Sequence, residues 1–260
     1  MGSKAIQGEL WGQRSEDWAA IQEYTGNPGY QYVIQKLQPG SADQILDVGC
    51  GSGLFSNLVQ QRDAIVTGID ASEPLIEQAR QRNSAIEFLL GEMEELPFAD
   101  EQFSIVCGFN SFQYAANVKN ALTEAKRVLQ TGGKLVAMIW GNKEDCEAAS
   151  NLKAIGSLLP PPPPGAPGPF ALTEDHLLEK IVEEVGLKLI ESTDIPSVWD
   201  YANTDEAMKG LLSSGPAAKA IANSGFEKVY ETVLASVQPY IKANGHVVYH
   251  NKFRIVIAEK

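Results

Sequence analysis

The sequence predicts an α/β fold with a mostly parallel sheet covered by helices on both faces, and three observations predict it. Short apolar segments between residues 44 and 140 alternate with helical ones. The first apolar segment runs directly into a glycine-rich turn that opens a helix, and an acid, Asp70, closes the second. Strands that alternate with helices in this way need crossover connections, which lay helices on both faces of a parallel sheet.

Taken in order, Trp11, Trp18, Ile21, Val33, Ile34 and Leu37 recur at roughly helical intervals, interrupted by Gly26-Asn27-Pro28-Gly29. The spacing predicts two short helices over residues 8–37 with a turn between them. Gln44–Val48 is a strand and Gly53–Gln61 a helix; Ile65–Ile69 is a second strand. Glu73–Arg82 is a helix with Ser72 as N-cap and Pro74 in its first turn. Ile86–Leu90 and Phe103–Phe109 are strands, Val118–Leu129 is a helix stopped by Thr131-Gly132-Gly133, and Lys134–Trp140 is a fifth strand.

The pattern then changes. Residues 141–158 read as a helix on a connecting segment. Pro160–Pro164 reads as a stiff polyproline loop, in preference to a proline-rich ligand for a recognition domain, because it sits between two core elements. Leu172–Val185 is a helix capped by Thr173 and ended by Gly186, and Lys188–Ile195 alternates as a strand. Residues 204–242 form a helical insertion broken near Gly215-Pro216, and Val247–Ala258 is the final strand. No internal repeat is apparent.

A chain of 260 residues, 44% hydrophobic and 21% charged, has the composition of a globular protein with a sizeable core. The net charge of −12 and the lack of any Lys/Arg-rich run argue against nucleic acid as a partner, since phosphate tracking needs a positive surface. Cys50, Cys107 and Cys146 are odd in number and far apart, which fits reduced, buried thiols. No metal is expected: His246 and His250 are four residues apart, but in a segment that reads as a strand, where that spacing does not bring two ligands together. Residues 1–10 have no apolar core of signal-peptide length and the chain has no apolar run of membrane-spanning length. The expected location is therefore cytoplasmic, with no membrane partner.

The chemistry concentrates in Ile45-Leu46-Asp47-Val48-Gly49-Cys50-Gly51-Ser52-Gly53. Glycines at alternate positions permit positive φ and let the backbone approach a ligand. The helix that follows offers unpaired N–H groups at its start. The dinucleotide fingerprint G-x-G-x-x-G/A fails here, because Leu54 stands at its last position. Asp70 lies 17 residues beyond Gly53, at a strand end where a carboxylate can accept hydrogen bonds from both hydroxyls of a ribose.

The segments ILDVGCGSG at 45–53, TGIDAS at 67–72, GEMEELPF at 91–98, FSIVCGFNSFQY at 103–114 and EAKRVLQTGGKLV at 124–136 together resemble the class I S-adenosylmethionine (SAM)-dependent methyltransferases. The likeness is to the broad group that contains small-molecule and quinone-type enzymes. It covers about residues 40–142, with a looser match through 172–260. It implies a Rossmann-like, seven-stranded sheet with an antiparallel last strand, in a single methyltransferase domain over 1–260. Residues 8–37 and 204–242 would cover the acceptor site, and residues 40–142 would form the SAM-binding core.

The resemblance also implies roles. Gly49, Gly51 and Gly53 would pass beneath the methionine part of SAM, with Asp47 close to its amino group. Asp70 would hold the ribose, Ala71 and Met93 would flank the adenine, and Glu92 or the Met93 backbone would address its edge. Glu92 stands where the family more often has Asp. Asn110 matches the residue whose backbone meets the SAM amino group. The product would be S-adenosylhomocysteine and the acceptor a small molecule, with transfer by in-line displacement driven mainly by positioning and desolvation. No residue stands out as a base: packing is the preferred reading of His176, His246 and His250, and catalytic residues and oligomeric state are not assigned. Trp11, Trp18, Phe112, Tyr114 and Trp199 are available to line an apolar acceptor pocket, and each suits the core equally well.

Neither the Asn-Pro-Pro-aromatic motif of exocyclic-amine methyltransferases nor a Pro-preceded cysteine nucleophile follows the fourth strand. Two alternatives stay open at this point. One is a non-catalytic SAM-binding protein. The other is a nicotinamide-dependent oxidoreductase, disfavoured by Leu54 and by the position of its only Tyr-x-x-x-Lys candidate, Tyr32 and Lys36, before the glycine turn.

Overall fold

A computed structural model describes residues 2–161 and 168–260. The seven strands β1 (Gln44–Val48), β2 (Ile65–Asp70), β3 (Glu87–Leu90), β4 (Phe103–Phe109), β5 (Leu129–Trp140), β6 (Lys188–Tyr201) and β7 (Val247–Glu259) form one sheet in the order β3-β2-β1-β4-β5-β7-β6. β3, β2, β1, β4 and β5 are parallel, and β7 lies antiparallel between β5 and β6. This is the Rossmann-like sheet with a reversed last strand.

Strand alternation divides the core. Ile45, Cys107, Met138 and Phe253 face one layer, and Leu46, Val48, Val106, Ile139 and Val256 face the other. The first layer is covered by α3 (Asn27–Leu37), α4 (Leu54–Gln60), α5 (Glu73–Arg82) and α7 (Ala149–Gly156), with α9 (Thr204–Leu211), α10 (Gly215–Ser224) and α11 (Phe226–Val237). The second is covered by α6 (Val118–Val128) and α8 (Leu177–Glu184), whose apolar stripes carry Leu122, Ala125, Leu178 and Val182. Two-sided burial explains why the strands read as continuous apolar runs.

The chain departs from the sequence expectation at several points. The Gly26–Gly29 segment does not break the N-terminal helices. α1 (Lys4–Gly12) and α2 (Ser15–Asp17) lead into a π turn at Trp18–Gln22 and a 3-10 turn at Glu23–Gly26, and α3 starts directly at Asn27. Pro28 falls in the first turn of α3, where its missing N–H costs nothing. Thr131-Gly132-Gly133 is not a loop: β5 begins at Leu129, and Gly132, at φ +79°, takes the irregular step within the strand. The helix expected from Leu172 starts at Leu177, because Asp175 and His176 are both left-handed, and the Thr173 hydroxyl donates to the Trp140 carbonyl instead of capping. β6 runs on to Tyr201 through Pro196, which an edge strand tolerates. The connecting helix is confined to Ala149–Gly156. The helical insertion 204–242 resolves into α9, α10 and α11, with Gly215-Pro216 opening α10. Of the proline run, Pro162–Pro164 lie outside the described residues.

Strand order reverses direction of growth between β1 and β4, and the crevice at their carboxyl ends is where an open α/β sheet binds ligands. α1 closes over it, packing on α5 and on α10, so the two candidate covering segments also touch each other. Gly8 makes the close approach: a Cβ there would stand 2.1 Å from the Ala71 carbonyl oxygen.

Candidate functional site

The crevice is built from the turns after β1, β2 and β4. After β1, Gly49, Gly51 and Gly53 have φ of +72°, +55° and +77°, values that L side chains rarely adopt. The Gly49 and Cys50 N–H groups donate to the Ile69 carbonyl at 2.7 and 3.1 Å, which ties the turn to β2. After β4, the Ser111 hydroxyl donates to the Val48 carbonyl at 2.6 Å and bridges the switch point.

Asp70, at the end of β2, faces this turn. Its Oδ2 accepts from the Gly51 N–H and its Oδ1 from the Ser72 N–H, both at 2.9 Å. Burial raises its pKa, opposed by those backbone donors. Each oxygen keeps a further lone pair for a ligand hydroxyl.

The N–H groups at the start of α4 are not free, as the sequence reading had them. Glu23, 4% exposed, takes them: Oε1 accepts from the Ser52 N–H at 3.0 Å and from the Leu54 N–H at 3.4 Å. Oε2 accepts from the Ser52 hydroxyl and from Arg82, both at 2.5 Å. Arg82 also donates to the carbonyls of Ser52 and Ala19. Burial raises the Glu23 pKa and the Arg82 charge opposes it. A residue on the N-terminal segment thus caps the glycine-loop helix, and no local pattern in the sequence marked it.

A cavity of about 670 Å³ occupies the crevice. Of the nine expected site residues it brings together Gly49, Gly51, Asp70, Ala71, Glu92, Met93 and Asn110. Asp47 and Gly53 do not line it. The Asp47 carboxylate, 2% exposed, accepts from the Ser56 hydroxyl at 2.7 Å, and burial pushes its pKa up to about 7. Gly53 makes room for the Phe88 ring, which a Cβ would meet at 2.9 Å. Glu92 lines the cavity but its carboxylate is engaged by α1: it accepts from the Lys4 N–H at 2.7 Å and from the Ser3 hydroxyl at 3.3 Å. Asn110 sits at φ +52° with its N–H donated to the Met138 carbonyl at 2.8 Å, and its buried Oδ1 has no partner.

A second cavity of about 540 Å³ adjoins the first and shares Trp11, Trp18, Asn110 and Tyr114 with it. The Trp11 ring meets Trp18 and Tyr114 edge-on at 4.8 and 5.2 Å. Trp199 lines the far side, whereas Phe112 is core. None of the three histidines lines either cavity. His176 pairs with Glu179 and His246 with Asp200.

Residues 46–137 match the family model described as a methyltransferase domain. Those residues are a methyltransferase domain. The chain is 35% identical over 104 residues to a malonyl-[acyl-carrier protein] O-methyltransferase of Erwinia pyrifoliae, a match that takes in 40% of this chain and 40% of that protein. A longer match, over 63% of this chain and 72% of the relative, is to an O-methyltransferase of Aspergillus nomiae at 29% identity. A putative methyltransferase structure from Bacillus halodurans shares the fold with a TM-score of 0.60 at 16% identity, covering 89% of this chain and 98% of that one. The family match ends at residue 137, before α7.

Proposed function

We propose that the chain transfers a methyl group from SAM to a small-molecule acceptor, with the first cavity holding SAM and the second the acceptor. The observation that carries this is the pairing of the Asp70 carboxylate, at a strand end inside the first cavity, with an adjoining second cavity across Asn110. The donor set fits SAM. Asp70 supplies lone pairs for two ribose hydroxyls. Ala71 and Met93 flank the place of the adenine, and the partnerless Asn110 lies near the amino-acid end. Gly49, Gly51 and Gly53 shape the turn beneath it, with Gly53 acting through packing, and Asp47 acts as a buried carboxylate behind the amino group. Glu92 acts through α1, so the adenine edge falls to the Met93 backbone. SAM supplies an electrophilic methyl carbon on a sulfonium, so the protein needs chiefly to align the acceptor and keep water out.

Glu23 disfavours the oxidoreductase alternative. A dinucleotide places its pyrophosphate at the N-terminus of the helix after the glycine turn. Here a carboxylate already occupies that position and would repel it. The same proposal takes residues 1–260 as one domain, with 8–37 and 204–242 as cover, in the cytoplasm and without nucleic acid or membrane as partner. The acidic charge and the three buried free cysteines support it. No helix among the described residues is long and apolar enough to cross a membrane.

The test is transfer of a labelled methyl from SAM into a small-molecule extract, with tRNA, rRNA and DNA as parallel acceptors and Asp70→Ala as control. Label in small molecules only, lost in the variant, supports the proposal. Label in nucleic acid overturns it.

A further inference from the structure

The second cavity has a chemistry of its own. Among its described lining residues there is no Asp, Glu, Lys, Arg or His. Two aromatic groups wall it: Trp11, Trp18 and Tyr114 on the side of the first cavity, and Trp140, Trp199 and Phe253 beyond, with Trp140 5.5 Å from Trp199 and 5.2 Å from Phe253. Three buried polar atoms without a partner lie on residues that line this cavity and not the first: the indole Nε1 of Trp199 and the side-chain oxygens of Gln113 and Asn151. Trp199 is 5% exposed and Asn151 4%. Buried polar atoms are normally paired, and leaving them unpaired is costly. Their clustering in one cavity points to a ligand that completes them.

On the methyltransferase reading of the adjoining site, we infer that this cavity takes a flat aromatic acceptor bearing a carbonyl and an ionisable hydroxyl, and that the hydroxyl oxygen is methylated. The Trp199 indole N–H can only donate, so it requires a ligand oxygen with a free lone pair. The amides of Gln113 and Asn151 serve both hydroxyls and carbonyls. An aliphatic carboxylate or an ammonium would have to enter charged with no lining ion to pair it, which is costly, whereas a phenol enters neutral and ionises only beside the sulfonium of SAM. The lining also supplies no base. The hydroxyl must therefore give its proton to water before transfer. The oxygen then forms a bond to the methyl carbon, the carbon–sulfur bond breaks, and its electron pair leaves on sulfur in S-adenosylhomocysteine.

The probe is 7-hydroxycoumarin, within a panel of hydroxyaromatic carbonyl compounds, with ethyl hydrogen malonate and tryptamine as the carboxylate and amine arms. Calorimetry on the full chain saturated with S-adenosylhomocysteine should find panel members bound at least roughly tenfold tighter than either of those. Trp199→Phe and Asn151→Leu should each weaken the best member by roughly 3- to 10-fold. Unchanged affinity for S-adenosylhomocysteine then shows that both variants fold. With SAM and labelled methyl, the pH midpoint of the rate should fall when 6,8-difluoro-7-hydroxycoumarin, a more acidic acceptor, replaces the parent. Tighter binding of the carboxylate or the amine, no binding of any panel member, unchanged affinity in both variants, or one pH midpoint for both coumarins would each overturn the inference. A panel member bound by a chain that binds neither SAM nor its product would overturn the methyltransferase reading and leave the cavity's ligand class standing.

Discussion

Glu23 and Ser52 are joined twice: the Glu23 carboxylate accepts from the Ser52 backbone N–H at 3.0 Å and from the Ser52 hydroxyl at 2.5 Å. The pair locks the N-terminal segment onto the glycine turn, and Arg82 balances the charge. The N-terminal segment and the crevice are therefore joined at this point.

Replacing Glu23 by Gln should break the charge balance and leave Arg82, with its side chain 18% exposed, without its counterion. Removing one partner of a buried pair costs about 3–5 kcal/mol, and Gln keeps some of the hydrogen bonds, so a loss of about 3 kcal/mol is expected. Urea denaturation reads it. SAM affinity should fall as the turn loosens, and an unchanged midpoint would mean that Glu23 is not a structural anchor.

Asp70→Ala should weaken SAM binding by about 1.5–3 kcal/mol, the worth of hydrogen bonds to a charged group. Calorimetry is the measurement. Equal affinity in the variant would remove Asp70 from the site, whatever its position in the cavity.

Gly8 sets the distance between α1 and the Asp70–Ser72 turn. Gly8→Val should push α1 away and expose the cavity, raising amide exchange over residues 4–12. In the wild type, SAM and acceptor together should slow exchange in residues 8–37 and 204–242. Exchange that ignores ligand in both segments would argue for a rigid structural role instead.

Asp47 links stability to pH. Its folded pKa is raised from 3.8 to about 7 by burial, so the unfolded state ionises first. Its contribution is complete below the unfolded value and is lost as pH rises from about 4 through 7, by up to about 4 kcal/mol. Asp47→Asn should flatten that window in urea melts taken from pH 4 to 8. A wild type whose stability does not decline there would show that Asp47 is ionised when folded.

Much of this architecture was legible in the sequence because its causes are local. The strand–turn–helix punctuation around Gly49–Gly53 and the strand-end Asp70 depend on neighbouring residues alone, and they stand where expected. What was not legible depends on distant partners. Glu23 acts on Ser52, 29 residues away, and sits in a segment whose apolar spacing says only helix. Glu92 is claimed by Ser3 and Lys4, nearly ninety residues before it, so its alignment position says little about its contacts. The strand expected over Lys188–Ile195 continues through Pro196 to Tyr201, because the outer edge of an edge strand needs no donor. Trp199 could be core or pocket on sequence grounds, and only the β6–β7 pairing places it on the second cavity.

The central claim is that the crevice binds SAM rather than a nicotinamide dinucleotide, and titrating the full chain with SAM, S-adenosylhomocysteine and NADH in a calorimeter tests it most directly. The account predicts saturable binding of SAM and of its product, with Kd values in the micromolar range or tighter, about −8 kcal/mol. It predicts no measurable binding of NADH, because the Glu23 carboxylate holds the start of α4. Binding of NADH with no binding of SAM would contradict it.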